Sequence, residues 1–376
     1  MTSGRTSADV VVVGGGLVGS AIAYGLAKEG LATTLLDEGD NAFRASRGNF
    51  GLVWVQGKGS DLSEYANWTR GSADLWPQFA NALLGETEVD VGYAKPGGLM
   101  FCMSEEELDE RASLLTRMRV NTTGGYDFQM LDRQDVRQML PSVGDAVVGA
   151  SYCPHDGHVS PLLLLRALHR AVLNKVDYQP EQEVTSIERK DGEFHVQTRR
   201  NLTVAPQLVL AAGLGNAALA SLVGLRAPVR PVRGQILVTE KVEQFLDLPT
   251  LHVRQTEAGT VMMGDSHEHV GFDVSTTVSA SQDIAKRALA QFPILADVQV
   301  IRTWGALRVM PPDGYPIYEQ SETHPGAFIA TCHSGVTLAA AHAMRLAPAI
   351  ARGTLPPELY CFRSERLKAD HGFQAQ

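Results

Sequence analysis

Three glycines near the start of the chain have the spacing of a phosphate-binding turn. Gly14, Gly16 and Gly19 follow four consecutive valines, residues 10–13, which predict a short strand buried on both faces. In such a turn the first glycine permits the sharp bend and the second lets a pyrophosphate approach the backbone. The third lets the following helix pack closely against the strand. The spacing therefore predicts a dinucleotide site at the end of this strand.

An acidic residue follows at the position that this kind of site requires. A helix is expected from Leu17 to Glu29, ended by Gly30, and a second strand from Leu31 to Leu36. Asp37 then lies at the carboxyl end of that strand, where its carboxylate would accept hydrogen bonds from ribose hydroxyls. The same negative charge would repel the additional phosphate of NADP. FAD and NAD both remain compatible with this stretch.

Composition excludes several other classes of protein. The formal net charge of −9 leaves no basic excess to neutralise nucleic-acid phosphates. No removable signal is expected, because residues 1–9 are short and polar and lead directly into the first strand. No membrane span is expected, because glycines and the pair Lys28-Glu29 interrupt the apolar region 10–36. Four scattered cysteines without a C-x-x-C pair argue against iron-sulfur, zinc and disulfide frameworks, and favour a reducing cytoplasm. They are Cys102, Cys153, Cys332 and Cys361.

At 376 residues the chain is expected to form two domains. A second buried strand over residues 208–213 would join the first sheet, whereas strands concentrate between residues 229 and 304. We therefore predict an α/β fold in which a Rossmann-type nucleotide-binding domain carries an inserted, mostly antiparallel β-sheet domain of α+β type. The predicted nucleotide-binding domain comprises residues 1–85, 145–225 and 316–376, and the inserted domain comprises residues 86–144 and 226–315.

Other segments have simpler structural interpretations. The aromatic stripe of a predicted helix over residues 62–84 indicates core packing. The cluster His155, Asp156 and His158 could suggest a metal site, but no third ligand is nearby and an Asp-Gly turn explains the pair, so we predict no metal. A last helix is expected to begin at Ser334, as its cap, and to run to about Ala351.

Seven motifs in a fixed order give the chain a family resemblance. They are Gly14-Gly15-Gly16-Leu17-Val18-Gly19, Ala45-Ser46-Arg47-Gly48-Asn49, Asp156-Gly157, Ala211-Ala212-Gly213, Pro231-Val232-Arg233-Gly234-Gln235, Trp304-Gly305-Ala306-Leu307-Arg308 with Pro312-Asp313-Gly314, and His333-Ser334-Gly335. With these motifs the chain resembles the FAD-dependent amino-acid and secondary-amine oxidoreductases, which include D-amino-acid, glycine and sarcosine oxidases. The stretches 271–277 and 302–304 are similar to the branch that contains the B subunit of opine oxidase, the C subunit of hydrogen cyanide synthase, and hydroxyproline dehydrogenase.

The resemblance implies FAD as the cofactor and assigns residues to hold it. Glycines hold the pyrophosphate, Asp37 the ribose and Val184 the adenine, while residues 44–51 and the helix start at residues 334–338 surround the flavin. The implied cofactor residues are Gly14, Gly16, Gly19, Asp37, Arg44, Ser46, Asn49, Gly51, Val184, Ala212, Gly213, Ser334, Gly335, Val336, Thr337 and Leu338. Sarcosine oxidase attaches its flavin through a cysteine just before its proline-rich motif, whereas Val309-Met310-Pro311 offers none here, so the FAD is expected to be non-covalent. FMN or an iron-sulfur centre is expected only with partner subunits.

The resemblance also implies the residues that meet the substrate. Arg308 matches the arginine that binds the substrate carboxylate, a role that suits a planar guanidinium. His252, with Arg254 beside it, falls about where relatives carry a tyrosine over the substrate. The motif at His333 lacks the second arginine of glycine oxidase, so glycine is a doubtful substrate.

The resemblance thus implies an oxidoreductase that takes a hydride from the carbon beside an amine and leaves an imine to be hydrolysed, and the scattered cysteines favour the cytoplasm. The predicted substrate is an opine or a proline derivative, and the predicted assembly is a heteromer with an unassigned electron acceptor. One alternative is a stand-alone D-amino-acid or sarcosine-type oxidase that releases hydrogen peroxide. A non-catalytic FAD-holding subunit and an NAD-dependent dehydrogenase are further alternatives, which Arg308 and the later motifs disfavour.

Overall fold

A computed structural model of the chain describes residues 4–39, 45–123, 125–173 and 175–368. Its central element is a six-stranded sheet, called here the parallel sheet, in which only the first pair of strands runs antiparallel. Its strands, in spatial order, are Ile317–Gln320, Ala327–Thr331, Gln207–Leu210, Val10–Val13, Thr33–Leu36 and Val176–Gln179.

The valine strand lies in the interior of this sheet, as the sequence predicts. Its four valines are at most 5% exposed, and Val13 pairs with Leu36 on one side and Leu210 on the other. The three strands therefore end at one edge, where a ligand of an open α/β sheet binds. The helix Leu17–Lys28 follows the glycine turn, and Gly30 takes a φ of +86° just beyond it. The predicted strand-helix-strand unit is confirmed.

Two smaller sheets extend the parallel sheet. A hairpin sheet contains, in order, Gly4–Ser7, Asn201–Ala205, Glu193–Thr198 and Val184–Lys190, and a two-stranded ladder joins Leu52–Val53 to Gly157–His158. The edge strand Gly4–Ser7 pairs in parallel with Asn201–Ala205, a contact that the polar N-terminal sequence does not predict.

A second body of strands lies beside the first. The antiparallel sheet, as we call it, has the order Val253–Gln255, Thr260–Gly264, Arg230–Lys241 and Val300–Met310. A three-stranded sheet of Gly98–Cys102, Gly149–Cys153 and Gln129–Asp132 shares one apolar core with it, through residues such as Leu99, Val136, Val253 and Phe292. The predicted fold class, a Rossmann-type domain with a sheet domain, is confirmed; the exact domain boundaries stay a prediction.

The helices surround these sheets. Regular α-helices span Leu17–Lys28, Ser63–Thr87, Glu105–Asn121, Arg133–Met139, Pro161–Leu173, Asn216–Leu219, Val278–Gln291, Ala339–Ala341 and Ala347–Ala351. Short 3₁₀ turns span Gly213–Gly215, Ala220–Val223, Pro293–Asp297, Pro357–Phe362 and Ser364–Lys368. The predicted aromatic stripe is core: Tyr65, Trp68, Trp76 and Phe79 are at most 6% exposed. Within the described residues no helix is long and apolar enough to cross a membrane.

The last helix differs from its prediction. Regular helix begins at Ala339 rather than Ser334, and a π-helical segment, His342–Leu346, separates its two α-helical parts. Ser334 is not a side-chain cap, because its hydroxyl is engaged by Lys58 and Tyr65. Those partners are distant in sequence, which is why the local pattern suggested a cap.

A buried histidine in the π-helical segment makes stability depend on pH. His342 is fully buried and its ring nitrogen Nε2 lies 2.7 Å from the Tyr318 hydroxyl, and burial lowers its pKa to about 3. A depressed pKa means that the unfolded chain takes up the proton first. The contribution of neutral His342 to the free energy of unfolding is therefore fully present above pH 6.5 and is lost as the pH falls towards 3.

We predict that replacing this histidine flattens the acid dependence of stability. In urea unfolding at pH 7 and pH 5, the difference between the two unfolding free energies should be smaller by about 2 kcal/mol in His342→Gln than in the wild type. His195, which is only partly buried, offers the matched variant His195→Gln, which should keep the wild-type difference. An equal pH dependence in His342→Gln and the wild type would contradict a neutral His342.

Candidate active site

The glycine turn is built from close backbone contacts. Gly14 has a φ of +111°, and a Cβ added there would lie 2.4 Å from the carbonyl oxygen of Ala211. A Cβ at Gly19 would lie 1.9 Å from the carbonyl oxygen of Gly14. A Cβ at Gly16 would meet only the side chain of Ser46, at 2.8 Å. Gly14 and Gly19 are thus required by the fold, and Gly16 keeps space above the turn free.

Asp37 is fixed beside this turn. Its Oδ2 accepts a hydrogen bond of 2.6 Å from the Gly15 amide, and its Oδ1 accepts one of 2.9 Å from the Gly39 amide. Each carboxylate oxygen retains further lone-pair capacity, so hydroxyls of a ribose could be bound as well. The His169 ring also lies at the turn, with Nε2 2.8 Å from the Gly15 carbonyl oxygen.

A long groove starts at the glycine turn and passes the ends of the parallel strands. It encloses about 1580 Å³ of empty space, including its open mouth. Ten of the predicted cofactor residues line it: Gly14, Gly16, Asp37, Ser46, Asn49, Val184, Ala212, Gly213, Gly335 and Val336. Its course, from the glycine turn along the strand ends to residues 332–336, suits a dinucleotide.

The remaining predicted cofactor residues support the groove or lie outside the described part. Gly19 packs under the turn, and Gly51, with a φ of +91°, faces the Val159 carbonyl. The Thr337 hydroxyl accepts a hydrogen bond from the Trp54 amide, while the Leu338 side chain is buried in the core. Ser334 lies just behind the lining, and Arg44 falls among residues that the structure does not describe. The individual cofactor roles stay predictions.

The loop expected around the flavin is held by the first helix and by the antiparallel sheet. The Ser46 hydroxyl accepts from the Leu17 amide at 2.9 Å, which places the loop over the first helical turn. The Trp304 indole, from the antiparallel sheet, donates to the Gly48 carbonyl at 3.2 Å. Two motifs of the resemblance are thus in direct contact.

Arg308 lies in an ion pair on the antiparallel sheet. Its Nη2 donates to Asp265 Oδ2 at 2.6 Å and its Nη1 to the Ser266 carbonyl at 2.8 Å. The guanidinium lies over Gly234, where an added Cβ would be 2.4 Å from both terminal nitrogens. Its strand neighbours Leu307 and Val309 line the groove. The Arg308 side chain is on the opposite strand face from these two, the face on which Ala306 lies against Gly48 of the flavin loop. The sequence-predicted substrate arginine is therefore on the sheet face that meets this loop, and it already has an acidic partner.

Asp265 is shared by several cationic or titratable groups. Arg287 approaches its Oδ1 at 3.9 Å and the His267 ring approaches Oδ2 at 3.7 Å. His252 belongs to the same cluster; burial and the charge of Arg287 lower its pKa to about 4. The histidines are neutral at pH 7, so two arginines face one carboxylate. Glu268 and Asp283 also act on these arginines, so an anion that binds Arg308 or Arg287 competes with acidic neighbours.

Arg254, the other predicted substrate residue, has a different environment. Its Nε donates to the Phe50 carbonyl at 2.5 Å and its Nη2 contacts the sulfur of Met262. The side chain is 4% exposed, and burial lowers its pKa to about 10. These contacts place Arg254 against the flavin loop. Its substrate role stays a prediction.

The His155-Asp156-His158 cluster has a structural explanation. The fully buried Asp156 accepts from the Val55 and Gln56 amides and from Nε2 of Gln56, whereas His155 lies 3.7 Å from Asp74 and 3.6 Å from Asp127. Among the described residues no three potential metal ligands come together.

Sequence reasoning missed three residues of this region. Asp265 and Lys58 carry no recognisable local motif, although Lys58 lies between two glycines just after a buried segment. Gly234 was noted only as part of a motif, and its contact with Arg308 explains why a glycine stands there. All three depend on contacts between segments far apart in the sequence.

Comparison with known proteins agrees with this geometry. The family model DAO, described as FAD dependent oxidoreductase, matches residues 9–349. The chain belongs to this family. The family resemblance seen in the sequence and the prediction of an FAD-dependent oxidoreductase are thereby confirmed.

Individual members of the FAD-dependent oxidoreductase family match over nearly the whole chain. The B subunit of opine oxidase from Agrobacterium tumefaciens (strain Ach5) is 44% identical over 363 residues, covering 96% of this chain and 98% of that protein. Hydrogen cyanide synthase subunit HcnC of Pseudomonas aeruginosa is 26% identical, covering 96% and 97%. The crystal structure of glycine oxidase from Geobacillus kaustophilus superposes with a TM-score of 0.88 at 24% identity, covering 95% and 98%, which shows the same fold.

The residues of the groove fit FAD, the cofactor of the family. Gly16 keeps the turn accessible to a pyrophosphate, Asp37 has free acceptor capacity for a ribose, and the groove lining continues past Gly213 to residues 332–336.

We predict that Gly16→Ala weakens FAD binding without unfolding the protein. The added methyl group meets only the end of the Ser46 side chain, yet it fills space that the pyrophosphate needs. A titration of the apoprotein followed by flavin fluorescence should show an FAD dissociation constant at least about tenfold higher. Gly85→Ala is the matched control, because nothing lies within 4 Å of a Cβ there. Equal FAD affinity in Gly16→Ala and the wild type would contradict the assigned pyrophosphate site.

Proposed function

We propose that this chain oxidises the C–N bond of a secondary amino acid of the opine or proline-derivative type, and that it is the catalytic subunit of a heteromeric enzyme. The observation that carries the proposal is the position of Arg308, on the strand face whose Ala306 packs against Gly48 of the flavin loop. The 44% identity to a protein named as the B subunit of opine oxidase supports both the substrate class and the role within a multi-subunit enzyme.

Bound FAD would accept the two electrons that leave the substrate as its C–N bond becomes C=N. The chain itself has to place the substrate and exclude water. Arg308 and Arg287 supply positive charge for a carboxylate, and neutral His252 adds no further charge. Water then adds to the released imine and yields a carbonyl compound and an amine.

Substrate binding requires a change of partner at Arg308. Both terminal nitrogens of the guanidinium are engaged, one by the Asp265 carboxylate and the other by the Ser266 carbonyl. A substrate carboxylate therefore has to compete with Asp265 for a bidentate position. Because Arg287 lies close to Asp265, that carboxylate keeps a cationic neighbour after it leaves Arg308.

The flavin is proposed to be non-covalent. Cys332, which lines the groove, is buried, and burial raises its thiol pKa to about 12. A protonated thiol is a weak nucleophile and does not readily attach to a flavin. Any FMN or iron-sulfur centre is proposed to reside with partner subunits, and the compartment is proposed to be the cytoplasm.

Anaerobic reduction of the purified holoprotein tests the proposed substrate class. Opines, hydroxyprolines and D- and L-amino acids are added in turn while the visible absorption of the flavin is followed. We expect bleaching by a secondary amino acid. Hydrogen peroxide release in air by the isolated chain would instead indicate a stand-alone oxidase. Failure of every compound to bleach the flavin, with partner subunits present, would contradict the proposal.

Replacing the proposed carboxylate-binding arginine should weaken substrate binding and leave FAD bound. For the compound that bleaches the wild type, Arg308→Ala should raise the dissociation constant by about 30- to 100-fold, or about 2–3 kcal/mol, through loss of charge-assisted hydrogen bonds. Arg137→Ala, which removes a surface arginine paired with Asp145, is the control. An unchanged dissociation constant in Arg308→Ala would exclude this residue as the anchor.

Because Asp265 competes with a bound carboxylate for Arg308, removing the Asp265 charge should strengthen carboxylate binding. Asp265→Asn removes the charge that holds Arg308, so carboxylate inhibitors should bind about fivefold more tightly than to the wild type. Asp109→Asn, an exposed change on the helix Glu105–Asn121 away from this cluster, is the matched control. Weaker inhibitor binding in Asp265→Asn would show that Asp265 positions the arginine instead of competing for it.

A further inference from the structure

Lys58 is a cation without an ion-pair partner among the described residues, and it contacts Ser334, whose chain neighbours line one end of the groove. Gly57 and Gly59, with φ values of +82° and +78°, flank it in a turn that follows the buried segment 53–56. Its ammonium group donates to the hydroxyl of Ser334. No described carboxylate lies within ion-pair distance of its ammonium group.

The hydroxyl that receives Lys58 is itself fixed. Ser334 is 7% exposed and also accepts a hydrogen bond of 3.0 Å from the Tyr65 hydroxyl. The neighbours of Ser334, His333 and Gly335, line the groove. The ammonium group is therefore held behind the residues that line the groove, and Lys58 is only partly exposed to water, which limits the screening of its charge.

An ammonium group held in this way, without a negative charge nearby, destabilises the folded protein. Burial lowers the pKa of Lys58 to about 8, so the ammonium form still predominates at pH 7. The nearest acidic groups are the Cys332 thiol, which is protonated, and Asp156, which is occupied by backbone and Gln56 donors. A negative charge that develops in the groove would be stabilised at this point.

The order of the residues along the groove indicates which part of FAD lies nearest to Lys58. The adenosine end of a dinucleotide is fixed at Asp37, and the lining continues past Ala212 and Gly213 to residues 332–336. With FAD bound in this direction, the isoalloxazine occupies the end near Ser334. This ring system gains negative charge when it is reduced.

We propose that Lys58 is the cationic residue that stabilises the negative charge of the reduced isoalloxazine, with Ser334 and Tyr65 positioning its ammonium group. The inference rests on FAD binding in the groove, which belongs to the proposed function. Lys58 thereby sets the reduction potential of the flavin, whereas Arg308 on the antiparallel sheet acts on the substrate.

The test uses the FAD-loaded protein and measures the flavin without substrate. Sulfite adds to flavins as an anion, so its dissociation constant and the midpoint potential both report positive charge near the ring. We expect Lys58→Met to raise the sulfite dissociation constant by about tenfold or more and to lower the potential, and Lys58→Arg to stay within about threefold of the wild type. Lys190→Met, which removes an exposed lysine paired with Glu188, should leave both unchanged.

The outcomes separate this inference from the proposed function. If the wild-type protein takes up no FAD, both the role of Lys58 and the proposed function are contradicted. Normal FAD binding with unchanged sulfite affinity and potential in Lys58→Met would overturn the role of Lys58 alone. That role is likewise overturned if Lys58→Met weakens only the binding of carboxylate inhibitors, because Lys58 would then be a substrate group. Lys58→Gln, judged by the same criteria, replaces Lys58→Met if that variant does not fold.

Discussion

The fold depends on a contact between backbone segments at the ends of three parallel strands. Gly14 lies against Ala211 and Gly19 against Gly14 so closely that no side chain fits at either glycine. The contact fixes the start of the first helix over the strand ends and leaves the groove open above Gly16. Everything that binds along this groove is positioned relative to that turn, from Asp37 at one end to residues 332–336 at the other.

The second sheet completes the site by supplying charge. Its long strands pair in a register that sets Val232 opposite Arg308, and the neighbouring Gly234 gives the guanidinium a flat surface. The segment that follows Gly264 brings Asp265 to this arginine. It is tethered through Glu268 and Asp273, which both bind the buried Arg233. The ion pairs with Arg233 thus fix the loop that begins at Asp265, the counter-ion of the proposed substrate-binding Arg308.

Local sequence was sufficient for the nucleotide half of the molecule. The strand, glycine turn, helix and acid from Val10 to Asp37 form one continuous unit whose pattern is set by neighbours in the chain. The family and the fold followed from the order of the motifs, and the comparisons confirm both. Arg308 was found because its flanking residues form one of those motifs.

The rest required contacts that no local pattern encodes. Ser334 resembles a helix cap, but Lys58 and Tyr65 take its hydroxyl, so the helix begins five residues later. Asp265 looks like an ordinary loop acid, and only the folded chain brings it to Arg308 and Arg287. These residues determine the charge of the site, which is why the sequence indicated the reaction class better than it indicated the groups around the substrate.

A crystal structure of the protein with FAD and a carboxylate inhibitor tests the central claim most directly. The account predicts the FAD adenosine at Asp37, its ring system beside residues 332–336, and the inhibitor carboxylate bound to Arg308 in place of Asp265. A ring system at another location, or an inhibitor bound away from Arg308 with the Asp265 ion pair intact, would contradict it.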